Sequence, residues 1–174
     1  DWRRNNINLL IQQTGEICRK NGTKFGVSPA GVWANKKNHP LGSETNGYES
    51  RNQAYADSRL WVKEGWVDYI CPQIYWEIGN RSADYKTLVD WWADVTRGTG
   101  VSFYVGMADY RAGSTTSGVW KDAQPIKEAL RYNKEVAEVR GEAHFRYRFL
   151  QENRELNRYY KRLAGNLPDG PGLD

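Results

Sequence analysis

The sequence predicts an α/β fold of parallel strands joined by helical crossovers, and three observations lead there. Apolar residues at helical spacing alternate with short runs of β-formers four times along the chain. Those runs are continuous rather than alternating in their apolar character, as in V-D-Y-I-C-P-Q-I-Y-W-E-I-G from Val67 to Gly79, which is how a strand buried on both faces reads. The helix-length stretches between them force each pair of strands to lie parallel.

The elements follow in order. Residues 1–21 read as an amphipathic helix, with Ile7, Leu10, Ile11, Thr14, Ile17 and Cys18 at helical spacing and Asn21-Gly22 as its stop. A strand over 24–28 ends in Ser28-Pro29-Ala30-Gly31-Val32-Trp33, and a long polar loop runs on to about Asn52. Loops of that length inside a domain are usually functional or mobile. A second helix is expected over 52–64, then the Val67 strand, then a third helix carrying Tyr85, Leu88, Val89, Trp92 and Thr96, capped by Ser82 or Asp84. The next strand, 101–105, runs into Gly106-Met107-Ala108-Asp109-Tyr110-Arg111. Pro125 marks the first turn of a fourth helix, and 141–149 alternates as a last strand, with Ala143, Phe145, Tyr147 and Phe149 opposite His144, Arg146 and Arg148. A final helix over 151–164 precedes a Pro/Gly tail, 165–174, expected to be flexible. Four strands are too few to close an eight-stranded barrel, which takes roughly 250 residues. Residues 1–164 are therefore either a small open sheet or half of a barrel.

Composition narrows the chemistry. The chain has 174 residues, 39% of them hydrophobic and 26% charged, enough for one domain with its own core. Its 8 Trp and 11 Tyr against 4 Phe concentrate the aromatic content in rings that also carry a hydrogen-bonding atom, which suits a polar ligand that stacks. The net charge of +4 is a mild excess, and the Arg-rich stretch 140–162 is interleaved with Glu142, Glu152 and Glu155, the pattern of a solvated helix rather than a nucleic-acid surface. The 2 His, His39 and His144, stand far apart, and Cys18 and Cys71 fall on apolar positions, so no metal cluster, disulfide or cofactor is expected. No stretch is long and apolar enough to span a membrane, and no signal peptide is visible.

The candidate site residues lie at the strand ends. Tyr75 and Trp76 offer flat faces for the C–H face of a sugar ring, and Gln73 both donates and accepts. Glu77 and Asp109 are the strand-end carboxylates, with Glu44 and Glu49 in the long loop as outsiders. The same aromatics serve equally as core or rim residues, with Glu77 a solvated loop residue.

Several segments resemble the glycosyl-hydrolase-like 10 family of bacterial envelope proteins: F-G-V-S-P-A-G-V-W (25–33), Y-A-D-S-R-L-W-V-K-E-G-W-V-D-Y-I-C-P-Q-I-Y-W (55–76), D-Y-K-T-L-V-D-W-W-A (84–93) and G-M-A-D-Y-R (106–111). The resemblance covers 1–133. It implies a (β/α)8 TIM-type barrel of which this chain is the C-terminal half, strands five to eight, with the fourth strand and its acidic motif lying ahead of Asp1. It implies a secreted or lipid-anchored, extracytoplasmic glycosidase acting on glycan chains, including peptidoglycan stripped of its peptides. Glu77 and Asp109 then become the catalytic candidates, and Ser28, Trp33, Gln73, Tyr75, Trp76 and Tyr110, all near C-terminal strand ends, the substrate-binding ones. Glycoside hydrolysis normally takes two carboxyl groups, about 5 Å apart for retention and wider for inversion. The isolated chain is therefore expected to be inactive and either to self-associate or to need the missing N-terminal half-barrel. A carbohydrate-binding module with the same aromatic platform is the alternative.

Overall fold

The computed structural model describes residues 1–163. Four parallel strands form one sheet in sequence order: β1 (Gly26–Val27), β2 (Tyr69–Ile70), β3 (Ser102–Met107) and β4 (Val139–His144). The expected α/β order is present, and a continuous parallel run of this kind is what a partial barrel contains. The first two strands are short, but their pairing continues past their formal ends. Cys71 N–H donates to Val27 O at 2.9 Å and Gln73 N–H to Pro29 O at 2.9 Å, while Gly106 N–H reaches Pro72 O at 2.9 Å.

The two faces of the sheet differ. Ile70, Phe103 and Val105 are fully buried under the helices, joined by Leu88, Val89 and Trp92 from α4 (Tyr85–Thr96) and Ile126, Ala129 and Leu130 from α5 (Gln124–Asn133). On the other face Tyr69 and Tyr104 meet edge to face at 5.8 Å, and among the described residues no helix covers them: Tyr69 remains 36% exposed. A Cβ on Gly26 would overlap the Tyr69 ring, so the bare glycine is what lets that ring lie across β1.

The helix α1 (Trp2–Lys20) seats on the molecule through Gly15, its one buried residue, where a Cβ would overlap the carbonyl oxygen of Trp66. Ile7 and Ile11 pack against the core as their spacing implies, but Leu10 and Ile17, expected on that face, are 58% and 59% exposed. Of the two candidate caps for α4, Asp84 is the one used: its carboxylate accepts the Thr87 N–H at 2.9 Å.

Three expectations are corrected. The single helix over 52–64 is two, α2 (Ser50–Gln53) and α3 (Ser58–Lys63), because Tyr55 adopts φ 55° and Asp57 starts a fresh N-cap that accepts from Leu60 N–H. The last strand is Val139–His144 rather than 141–149. β3 stops at Met107, opposite His144, so once Phe145 N–H has reached Met107 O at 3.0 Å no strand remains to pair with. The chain turns instead into α6 (Tyr147–Glu152), where Arg148 and Glu152, one helical turn apart, form an ion pair at 2.6 Å. The alternation through Tyr147 and Phe149 was a coincidence of helical residues read at period two, and Tyr147 is 70% exposed. The closing helix is α7 (Arg154–Leu163). The tail 165–174 lies outside the described residues.

Candidate functional site

The four strands deliver their C-terminal ends to one edge of the sheet, and Gln73 sits at the middle of that edge. Its backbone bridges Ala30 on one side and Gly106 on the other. Both neighbouring segments need a missing side chain: a Cβ on Gly31 would fall 2.6 Å from Gln73 O, and one on Gly106, in β3, 2.9 Å from Pro72 O. The Gln73 amide donates to Ser28 O at 3.2 Å, with Ser28 Oγ at 3.5 Å.

Around it is an open pocket of about 420 Å³ lined by Ser28, Cys71, Gln73, Tyr75, Gly106, Ala143, His144 and Phe145. The strand period explains the members from β2 and the residues that follow it. Cys71, Gln73 and Tyr75 are two residues apart and point to the pocket side, while Ile70 and Ile74 point into the helix-covered core. Cys71 is a free thiol that burial pushes up from its ordinary range, so it is a small apolar wall rather than a nucleophile. Tyr75 is half-buried, and burial followed by the neighbouring Tyr110, Cys71 and Asp109 raises its hydroxyl, which stays protonated as a donor. Tyr110, 39% exposed, stands edge-on to Tyr75 at 6.1 Å and to Phe145 at 6.4 Å, and forms the rim.

The structure separates the sequence candidates into groups. Ser28, Gln73 and Tyr75 are brought together in the pocket, with Tyr110 beside them. Trp76 is half-buried and packs against the core. Trp33 is only 3% exposed, its indole N–H donating to Asp57 at 2.9 Å and its ring stacked on Trp91 at 5.7 Å.

The two carboxylates have built surroundings of different kinds. Glu77 is half-buried and accepts from Asn80 Nδ2 at 2.9 Å and from Trp120 Nε1 at 3.1 Å, with the Arg111 guanidinium lying over the Trp120 ring at 4.3 Å. Burial alone would push the Glu77 carboxyl up, but those hydrogen bonds and the Arg111 charge outweigh it and hold it below the usual range. Glu77 is thus ionised at neutral pH, and it ties the loop after β2 to the loop after β3. Asp109 is buried entirely, its side chain 0% exposed. It accepts from the Tyr160 hydroxyl at 3.0 Å and lies 3.1 Å from His144 Nδ1.

Sequence reasoning missed His144 and Tyr160. No signal marked the histidine, which the expected strand 141–149 placed mid-strand. Nothing marked Tyr160, which reaches the site from α7. Among the described residues no cluster of His, Cys, Asp and Glu is placed to hold a metal ion.

The family model described as glycosyl hydrolase-like 10 matches residues 1–122. The chain belongs to that family. It is 38% identical over 156 residues to glycosyl hydrolase YngK of Bacillus subtilis (strain 168), covering 88% of this chain and 31% of that protein. It is 42% identical over 159 residues to glycosyl hydrolase DigH of Escherichia coli (strain K12), covering 87% of this chain and 36% of that protein. The chain spans about a third of the length of these curated relatives. His144 and Tyr160 lie beyond the residues matched by the family model.

Proposed function

We propose that this chain contributes strands five to eight of a (β/α)8 glycoside hydrolase, and with them half of the cleft, for a bacterial-type polysaccharide such as peptidoglycan glycan strands. The observation that carries the reading is the convergence of Ser28, Gln73 and Tyr75 on one pocket at the C-terminal strand ends. That edge is where barrel enzymes keep their chemistry. Gln73 supplies paired donor and acceptor atoms for adjacent sugar hydroxyls, while Tyr75 and Tyr110 supply ring surface. An extracytoplasmic site of action follows from the substrate class. No described helix is long and apolar enough to cross a membrane.

In this reading Glu77, ionised and fixed, stabilises positive charge developing at the sugar ring, and Asp109, enclosed between His144 and Tyr160, anchors the loop after β3 at the same end of the sheet. A group held below the usual carboxylate range is a poor proton donor at neutral pH. The acid that protonates the leaving oxygen therefore comes from the part of the protein outside this chain.

The test is release of reducing ends by the complete protein from peptide-free peptidoglycan strands and N-acetylglucosamine oligomers. Gln73→Ala and Tyr75→Ala are each expected to lower the rate about tenfold or more, the scale of one lost polar or stacking contact. A second reading, a carbohydrate-binding module, is favoured by one observation: Asp109 is wholly enclosed and Glu77 is held by Asn80 and Trp120. A complete protein that binds these glycans but releases no reducing ends establishes that reading instead.

A further inference from the structure

We propose that Phe145 is the stacking platform of this site, its ring taking the C–H face of a sugar whose hydroxyls reach Gln73 and Ser28 across the pocket. The proposal rests on the carbohydrate reading above and adds to it the residue that forms the far wall.

Strand register places the ring. Gln73 bridges Gly106, and Gly106 pairs with Ala143 in β4, so the three share one row across one face of the sheet. Two residues beyond that row stand Tyr75 after Gln73 and Phe145 after Ala143, and both line the pocket. The row itself is low on the β3 and β4 side, because Gly106 has no side chain and Ala143 only a methyl. The pocket is therefore a slot with the Gln73 amide and the Ser28 hydroxyl on one side and Phe145 on the other. The backbones of Gln73 and Ala143 stand two strand spacings, about 10 Å, apart.

The surroundings argue that this ring serves a ligand. Of the 4 Phe, Phe103 is fully buried and Phe25 and Phe149 are partly so, whereas Phe145 is 51% exposed. A phenyl ring carries no hydrogen-bonding atom that water would satisfy, so its exposure gains nothing for the fold. Its position is nonetheless fixed. The Phe145 N–H donates to Met107 O at 3.0 Å, its carbonyl accepts from the Tyr110 N–H at 3.3 Å, and the Tyr110 ring meets it edge-on at 6.4 Å. Tyr110 also meets Tyr75 edge-on at 6.1 Å, so Tyr75, Tyr110 and Phe145 form one aromatic arc at the rim. A ring already held in this way needs little further ordering when a ligand arrives. A sugar matches such a slot: its ring carbons present apolar C–H groups to a flat face, while its hydroxyls donate and accept as the Gln73 amide does. Trp76 packs against the core and leaves the stacking role open.

The test is binding of solubilised peptide-free peptidoglycan strands and of N-acetylglucosamine oligomers by the complete protein, expressed per folded molecule, with the melting temperature of each variant taken alongside. Phe145→Leu keeps an apolar side chain but has no flat face, and it is expected to weaken binding about tenfold, the scale of one stacking contact. Its melt should stay close to that of wild type. Phe145→Tyr keeps the ring and should bind as wild type does. In proton NMR the sugar C–H signals should move upfield on binding to wild type, under the ring current of the stacked aromatic, and move less with Phe145→Leu. Phe145→Leu that binds as tightly as wild type overturns the Phe145 proposal and leaves the glycan reading standing; if it also melts early, the ring is a packing contact with the rest of the protein. Phe145→Tyr as weak as Phe145→Leu overturns the proposal too, since the ring would then not be what binds. Wild type that binds neither glycan overturns the glycan reading and the ligand named here together.

Discussion

Glu49 shows how one residue organises a long loop. It is 5% exposed and accepts from the Asn35 N–H at 2.6 Å, the Asn35 amide at 2.8 Å and the Asn38 amide at 2.9 Å, with Asn52 on its other oxygen. Burial pushes its carboxyl up, but these donors together outweigh burial and hold it below the ordinary value of 4.5. With the native value below the unfolded one, the unfolded chain takes up more protons as the medium acidifies. The stabilisation is complete above 4.5 and is lost as pH falls through the native value. Glu49→Gln is expected to cost about 1–3 kcal/mol at neutral pH, because a donor NH2 replaces one acceptor. Urea titrations at falling pH should show the difference shrinking; a constant difference would mean that Glu49 is not titrating in the network. The same scale separates Trp76 from Tyr75. Trp76→Ala is expected to lower the melting temperature, since the ring packs on the core, whereas Tyr75→Ala is expected to weaken glycan binding with the melt nearly unchanged. A Trp76→Ala variant that melts normally and loses glycan affinity would put that ring back in the cleft.

At the scale of elements, α1 depends on the absence of one side chain. Gly15→Ala adds helix propensity worth up to about 1 kcal/mol. It also drives a methyl into the Trp66 carbonyl, part of a backbone that cannot swing aside. Overpacking of that kind costs about 1–3 kcal/mol, so the net change is expected to be destabilising. A rise in melting temperature would show that α1 sits more loosely than its seat on Trp66 implies. For α4, loss of the Asp84 cap in Asp84→Ala should cost about 1 kcal/mol, read from the same denaturation curves.

At the scale of the whole molecule, one face of the sheet and part of α1 have no cover among the described residues. Tyr69 and Phe145 on or beside the sheet are 36% and 51% exposed, and Trp2, Leu10 and Ile17 on α1 are 76%, 58% and 59% exposed. Apolar surface of this extent, with a strand edge at β1, favours pairing with another chain. The isolated 174-residue chain is expected to self-associate and to bind dyes that report exposed apolar surface. A dye-silent monomer in light scattering would mean that this face needs no partner, and the half-barrel proposal would fall.

What the sequence determined by itself is what depends on local period and punctuation. The parallel α/β order, the crossover helices and the Asp84 cap as one of two choices follow from apolar spacing and from punctuation at the helix ends. Where no partner strand enforced the period, the reading failed: 145–149 satisfied an alternation beyond the end of β3. Only the tertiary structure decided the rest. Trp33 is a core ring because Trp91, far along the chain, stacks on it. His144 is fixed in place because Asp109, 35 residues before it, and Tyr160, 16 after it, meet at one ring nitrogen. No local pattern encodes such a meeting, since it is the packing of β4 and α7 against the loop after β3 that creates it.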